Sequence, residues 1–451
     1  MVCALALTFA CGRANNSRES NGADSGTMSS GPHVVDAGTT PDADAGTIAD
    51  GELDAGGLVA CPQPRQVAAI ATVDCPEKPQ LLWSHTIANE ADFRGWTDRE
   101  GNLYWTEYQP NTYWPAPDAT RLVSADSAGR VRYRVPAPAA SWQGAFLISG
   151  DRIILSRDAV IAAHDVATGA QLWSIDLTAT YRISPRMEGM ADLGNGTIAF
   201  TLSADAAQVE GSHVVDLATG KVLSSFQHVL VLGADGAGTG LGIPFPRNYS
   251  EPTTLFGFDA SGQRVWSTSA SYPRFLGSTS GKPIVSILEA QCFTSTDRFL
   301  AVPLSWGAVA LGSRVSFSFD SATNPVTVHA IRDREVIADG KLADADPRRG
   351  VSVMPFVVDD HLVAVEQLFS SSPGLCHISS YGKASVWRID SAKAYQCPLE
   401  FAGENAIQGV AVLAGQLVIG RRTFLTAACT QSTQPVTIEA YGLPVELALR
   451  K

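Results

Sequence analysis

The 451-residue chain has no adjacent pair of cysteines, only 8 histidines and only 17% charged residues. Basic residues are scarce: Lys and Arg total 33 against 45 Asp and Glu, a net charge of −12. With no basic stripe to offset that charge, nucleic acid is excluded as a partner. No cysteine belongs to a CxxC pair and no histidine stands at ligand spacing from one, so no zinc site is expected. His85, His164 and His361 fall in strand patterns and His228 at a strand end, none with a Ser or Asp relay beside it in sequence. Gly236-Ala237-Gly238-Thr239-Gly240 is glycine-rich, but no Lys-Ser/Thr pair or helix follows, which leaves a flexible loop between blades rather than a phosphate cradle. Helical periodicity is missing throughout.

What the chain does have is 40 glycines, 25 prolines and 45% hydrophobic residues, enough to bury a large core between many turns. Residues 12–60 stand apart. They contain no aromatic residue and eight acidic residues against two arginines, about half of the net charge. Such a segment cannot bury enough apolar area to offset the entropy of ordering it, and it reads as a disordered acidic tether. Before it, residues 1–11 end in a short apolar run, ALALTFA, which suits a secretory signal rather than a membrane span. Thr8-Phe9-Ala10-Cys11-Gly12 resembles the lipobox of bacterial lipoproteins, with Leu7 one place earlier than that pattern has it. The resemblance implies that Cys11 is lipidated and that the chain is exported and anchored at the outer membrane or cell surface. A periplasmic or secreted protein with a cleaved peptide is the alternative.

Six further cysteines, Cys61, Cys75, Cys292, Cys376, Cys397 and Cys429, form an even set that suits disulfides in an oxidising compartment. Fifteen pairings are formally open. The simplest joins Cys61 to Cys75 within the linker 61–79 and Cys376 to Cys397, leaving Cys292 with Cys429.

From residue 80 to 451 one phrase keeps returning. HDVATGAQLWSIDL (164–177) is followed by VVDLATGKVLSSF (214–226) and GFDASGQRVWSTS (257–269), with LVSADSAGRVRYRV (122–135) as a looser copy. The marker residues Asp126, Asp165, Asp216 and Asp259 are 39, 51 and 43 residues apart, the period of propeller blades. Each phrase is a hairpin: a strand, a turn ending in Gly where positive φ is needed, and a return strand bearing Tyr133, Trp173, Phe226 or Trp266. Strands after Gly-containing bends, at 98–108, 148–157, 193–202, 358–367 and 413–422, are expected as the inner strands of their blades. After residue 270 the phrase decays, and 312–325 and 369–382 read as inserted loops. This is an all-β chain, a single β-propeller of four-stranded antiparallel blades. The count is seven, or eight if 271–325 holds another hairpin.

The ring should close through the N-terminal end of the domain. The last repeat, VTIEAYGLPVELALRK, has no aromatic return strand, whereas QLLWSHTI (80–87) matches QLWSIDL (171–177) without a phrase before it. Residues 81–87 are therefore expected as the outer strand of the final blade, beside 437–441, with Trp83 between that blade and a neighbour.

Asp165-x-x-Thr168-Gly169-x-x-x-Trp173 resembles the repeat of PQQ-type β-propellers, which include quinoprotein dehydrogenases and the lipoprotein scaffold of the outer-membrane barrel assembly machine. Asp216-Thr219-Gly220 has Ser224 where Trp is usual, and Asp259-Gly262-Trp266 has Ser261 in place of Thr. The resemblance implies either a scaffold or an enzyme. A quinone enzyme would need a carboxylate base near bound Ca²⁺ and usually a vicinal disulfide. The repeat aspartates are explained by turns, so the sequence favours a non-catalytic envelope or cell-surface lipoprotein that needs no cofactor. Its partners would be another envelope protein or a surface glycan, and the lipid membrane through its anchor. Tyr108, Tyr113 and Trp114, among the prolines of WTEYQPNTYWPAPDATR (105–121), are the candidate binding surface, with LFSSSPGLCHISSYG (368–382) as a second. A secreted quinoprotein-type oxidoreductase, or another enzyme with a site built from several blades, is the alternative, and PQQ and Ca²⁺ belong only to it.

Overall fold

The structure, a computed structural model, describes residues 71–74, 77–87, 90–108, 120–137, 146–157, 159–178, 186–205, 208–244, 253–279, 282–288, 290 and 294–303. Beyond these it describes the strands between 306 and 400, and 405–413, 415–423 and 435–443. Among the described residues there is no α-helix, and none long and apolar enough to cross a membrane. The strands form eight sheets, each built around four strands.

Blade 1 comprises Glu90–Thr97, Leu103–Tyr108, Arg121–Ala125 and Val131–Pro136. Blade 2 comprises Phe146–Ser149, Arg152–Arg157, Val160–Asp165 and Gln171–Asp176. Blade 3 runs Arg186–Asp192, Thr197–Asp205, Gln208–Asp216 and Val222–Phe226, and blade 4 runs Val229–Ala234, Gly240–Pro244, Thr253–Phe258 and Arg264–Ala270. Blade 5 is irregular: Lys282–Ile287 joins Arg274–Thr279 on one side and pairs in parallel with Leu300–Pro303 on the other, leaving Thr294–Ser295 at the edge. Blade 6 holds Trp306–Leu311, Ser316–Asp320, Val326–Arg332 and Glu335–Leu342. Blade 7 holds Val351–Val358, His361–Phe369, Ser379–Ile389 and Lys393–Glu400, plus a fifth strand, Ala71–Asp74.

The last blade is made from both ends of the domain. Asn405–Leu413, Gln416–Thr423 and Val436–Gly442 are completed by Gln80–Ile87, which pairs antiparallel with Val436–Gly442. Leu81 lies opposite Tyr441 and Thr86 opposite Thr437, as the match between QLLWSHTI and QLWSIDL implies. Closure in this way leaves no blade to face solvent with an unpaired sheet. The innermost strands of blades 8 and 1 touch, and a core of Ile87, Phe93, Trp105, Val123, Val418 and Ile438 fills the space between these blades.

The count is eight. The additional blade lies within 271–325, where a hidden hairpin was the condition for eight, and Ser316–Asp320 is a strand in a stretch read as loop. A second difference concerns strand order. The strands after the Gly-containing bends are second in their sheets, because the innermost strand precedes each bend.

Register in the innermost strands slips at Gly189, Gly233, Gly277 and Gly409, and across Gly95 in blade 1. Gly95, Gly189, Gly233 and Gly409 are crowded by the adjacent blade. A Cβ at Gly189 would come within 2.6 Å of the Val231 carbonyl oxygen, and one at Gly95 would strike the Val410 carbonyl. Glycine here lets neighbouring backbones close on the axis.

Candidate functional site

The recurring Asp-x-x-x-Gly phrase turns out to be a latch between blades. In blade 2 the Asp165 carboxylate accepts the Thr168 N–H at 2.8 Å and its hydroxyl at 2.7 Å. Asp216 does the same with Thr219 at 2.8 and 2.6 Å, and Asp259 with Ser261 at 2.9 and 2.6 Å. In blade 1 Asp126 accepts the N–H groups of Ala128 and Arg130. Each turn ends in a glycine of positive φ: Gly129, Gly169, Gly220 and Gly262.

An aromatic ring from the preceding blade lies on each glycine. A Cβ at Gly129 would come within 2.7 Å of the Trp83 ring, at Gly169 within 2.6 Å of Tyr133, at Gly220 within 2.7 Å of Trp173, and at Gly262 within 2.9 Å of Phe226. The polar edge of the ring finds the same turn's backbone. Trp83 Nε1 donates to the Ser127 carbonyl at 3.0 Å, Tyr133 to Val166 at 3.1 Å, and Trp173 to Leu217 at 3.0 Å. In blade 3 Ser224 replaces Trp, and two side chains share what the indole does elsewhere. Phe226 supplies the ring, and the Ser224 hydroxyl donates to the Ala260 carbonyl at 3.2 Å. Trp83 therefore lies between the last blade and the first, as its sequence match predicts. Among the described residues of blade 5 there is no Asp-Gly turn of this kind, and Trp266 stacks on Phe299 with centroids 6.1 Å apart.

These bonds hold the aspartates in their charged form. Hydrogen bonds from Thr168, Thr219 and Ser261 keep Asp165, Asp216 and Asp259 below the usual carboxylate range. At Asp126 partial burial pushes the other way, and the bonds from Arg130 and Ala128 outweigh it. Each of these carboxylates is committed to its own turn. Among the described residues no group of three or more His, Cys, Asp or Glu is placed to hold a metal ion. Sequence reading missed three equivalent turns. Asp98, Asp192 and Asp235 cap the bends between first and second strands, Asp235 accepting the N–H groups of Ala237 and Thr239 at 2.7 and 2.9 Å. The glycine-rich 236–240 is thus a tight turn within blade 4, not a loop between blades.

Two histidines have structural roles too. His164 is buried and its Nδ1 lies 2.9 Å from the Gly169 carbonyl, while His213 Nδ1 meets the Ser225 hydroxyl at 2.8 Å. Burial pulls both below the usual imidazole range, His213 to about 4.

The two ends of the propeller differ. In an antiparallel meander, first-to-second and third-to-fourth connections share one end, and all others share the opposite end. The capped turns at 98–102, 126–130, 166–170, 217–221, 235–239 and 259–263 all lie at the first end and span at most five residues. The longer connections, 109–120 from blade 1, 245–252 from blade 4, 370–378 from blade 7 and 424–435 from blade 8, leave from the second. The roots of both candidate loops therefore share one end, on blades 1 and 7, with blade 8 between them. Tyr108 ends its strand opposite Glu90; Tyr113 and Trp114 lie outside the described residues. Cys11, Cys61, Cys75, Cys292, Cys376 and Cys429 also lie outside them, and Cys397 falls within Lys393–Glu400.

Buried carboxylates brace this end beside the loop roots. Glu107 accepts Trp105 Nε1 at 3.0 Å and Arg134 at 3.1 Å. In blade 8 Arg421 grips Glu439 through two bonds of 2.8 and 2.7 Å, and the Tyr441 hydroxyl donates to the same carboxylate at 2.7 Å. The bidentate Arg421–Glu439 pair holds its two strands in place. Sequence reading gave no signal for them, because each pair joins strands that only the fold aligns.

No family model matches the sequence, and no curated protein matches it. Among solved structures, the Pan2 WD40 domain of Neurospora crassa is similar at 8% identity, over 84% of this chain and 100% of that one, with a TM-score of 0.44. BamB from Moraxella catarrhalis is similar at 14% identity over 84% and 95%, TM-score 0.33. Regucalcin, a calcium-binding protein from Agrobacterium tumefaciens, is similar at 11% identity over 82% and 97%, TM-score 0.32. By its own strand pairing and latched blades, the chain is a β-propeller.

Proposed function

We propose that the protein is an exported, lipid-anchored scaffold that binds another envelope protein or a surface glycan without catalysis. The observation that carries this reading is the asymmetry of the two ends. One is closed by short capped turns whose polar groups are spent on themselves; the other gathers the long connections, including the aromatic- and proline-rich 109–120. Aromatic side chains between prolines lose little freedom on binding and suit an anchor for peptide or sugar. Function placed on loops of a rigid scaffold fits this arrangement. Cys11 and the acidic tether would hold the propeller away from a membrane surface. Intact-mass measurement of the protein from its native membrane tests the anchor: acyl chains on Cys11 are expected, and an unacylated N-terminus would refute it. Replacing 109–119 by a Gly/Ser loop of equal length tests the binding face: it should abolish crosslinking to the partner while leaving the far-UV spectrum and thermal midpoint unchanged. Undiminished crosslinking would refute that part.

A further inference from the structure

The bend between the first two strands of blade 3 carries a reactive pair that its structural role does not use. It runs Leu193-Gly194-Asn195-Gly196, between Arg186–Asp192 and Thr197–Asp205. Gly194 and Gly196 take φ of +83° and +81°, and Asn195 stands exposed between them. Among the described asparagines, Asn102 is followed by Leu and Asn405 by Ala, whereas Asn195 is followed by glycine.

Attack by a peptide nitrogen on the preceding asparagine needs an electrophilic Cγ, a nitrogen able to lose its proton, room to close the ring and an unheld leaving group. All four are present. The Thr197 hydroxyl donates to Asn195 Oδ1 at 2.5 Å, which draws electrons from Cγ. The same donor is aimed at the oxygen on which charge develops during attack. The Gly196 N–H has no hydrogen-bond partner among the described residues and lies in the exposed bend, within reach of hydroxide. A Cβ at Gly196 would meet nothing within 4 Å, so the approach is open. The Asn195 amide nitrogen donates to no described residue. Asn102 is the contrast: its Nδ2 donates to Asp98 at 2.7 Å, and the residue after it, Leu103, is fully buried.

We propose that Asn195 is a site of spontaneous deamidation, with water as co-reactant and the Thr197 hydroxyl assisting. The Gly196 nitrogen gives its proton to hydroxide and bonds to Asn195 Cγ. The Cγ–Nδ2 bond then breaks, and the nitrogen takes up a proton and leaves as ammonia. Water opens the resulting succinimide without any change of oxidation state. Opening at Cγ leaves aspartate; opening at the main-chain carbonyl leaves isoaspartate, whose main chain passes through Cβ and is one atom longer. Either product adds a carboxylate close to Asp192, which already accepts the Gly194 N–H at 2.8 Å. The longer chain falls where this bend is fitted against blade 4. The Leu193 carbonyl accepts the Gly238 N–H at 2.6 Å, and a Cβ at Gly194 would strike the Gly236 carbonyl. The Gly196 carbonyl meanwhile accepts the Leu217 N–H at 2.9 Å. An extra main-chain atom between these two carbonyls loosens the contact between blades 3 and 4.

The test is incubation of the folded full chain in mildly alkaline buffer, followed by peptide mapping. Asn195 is carried on tryptic peptide 187–221 and Asn102 on 100–121. Peptide 187–221 should gain the mass difference between a hydroxyl and an amino group, placed at Asn195 by fragmentation. Part of that product should accept a methyl group from an isoaspartyl methyltransferase, while Asn102 keeps its amide. Thr197→Val should slow the conversion and Thr197→Ser should restore it. The thermal midpoint should fall on incubation of the wild type and hold in Asn195→Gln. Conversion of Asn195 no faster than that of Asn102, or a rate unchanged in Thr197→Val, would overturn the proposal. An unchanged midpoint after conversion would overturn its link to blade 4. Asn195-Gly196-Thr197 also matches the acceptor pattern for an N-linked glycan, and a glycan on Asn195 in protein taken from its native membrane would overturn the assignment as well. The wild-type map decides by itself if a variant does not fold.

Discussion

Replacing Trp83 by Ala removes the latch between the last blade and the first, at the one place where the ring is closed by residues far apart in sequence. The indole is partly buried against the core shared by these blades, and its ring lies on Gly129. Burying about 120 Å² of indole at roughly 25 cal/mol per Å² contributes about 3 kcal/mol. The bond to the Ser127 carbonyl adds about 0.5–1 kcal/mol, since that carbonyl can turn to water. Trp83→Ala should therefore destabilise the protein by about 3–4 kcal/mol, read from the urea midpoint by circular dichroism. Leu82, the neighbouring bulge residue, is 52% exposed, and Leu82→Ala should cost less than about 0.5 kcal/mol. Gly129→Ala supplies a sharper check. It forces Ala to φ +77°, at about 1–2 kcal/mol, and drives its Cβ into the indole. In the Trp83→Ala background only the backbone cost remains, so the double variant should be more stable than the two single effects added. If the effects are additive, or Trp83→Ala is as mild as Leu82→Ala, the ring does not close through this contact.

The folded-state pKa values of Asp165, Asp216 and Asp259 lie below their unfolded values, so the stability they contribute is present above about pH 4 and lost as pH falls through the folded values. Asp165→Asn should flatten the fall of the urea midpoint below about pH 4, and an unchanged slope would contradict the capping account. His213 behaves on a different window: with its pKa held at about 4 by burial, stability is full above about pH 6.5 and lost as pH falls to about 4. His213→Gln should reduce the slope in that interval, measured by the same titration, with the part due to the buried His164 remaining. Deleting 80–87 should destabilise more than Trp83→Ala because the ladder to Val436–Gly442 goes with it, whereas deleting 12–60 should leave the thermal midpoint unchanged.

The hairpin phrase was legible because one physical device repeats. Asp caps, Gly turns and the aromatic residue reaches the next blade, so four copies announce the same geometry. Closure by Gln80–Ile87 was legible for the same reason: Trp83 keeps its latch although its own phrase is gone. The blade count was obscured at blade 5, where Lys282–Ile287 pairs in parallel with Leu300–Pro303 and the short hairpin that follows is capped by Thr296 rather than by the Asp-Gly phrase. A second rhythm would have revealed it. Gly189, Gly233 and Gly277 recur at 44 residues, and Gly409 follows three such steps later, leaving room for two blades between. That signal is a single glycine in an apolar strand, intelligible only once the inner strands are seen to press together. Ala71–Asp74 gave no signal at all, since a short parallel edge strand needs neither turn nor alternation. The long-loop end was legible only as composition, because which loops share an end depends on how many strands precede each.

Site-specific photo-crosslinking from the two ends of the membrane-attached full chain tests the scaffold reading most directly. A crosslinker at Tyr108 stands at the root of the long-loop end, and one at Ala167 stands exposed on a capped turn at the opposite end. The account predicts one discrete adduct with an envelope protein or glycan from position 108, lost when 109–119 is replaced, and none from position 167. Equal capture from both positions, or capture from position 167 alone, would contradict it.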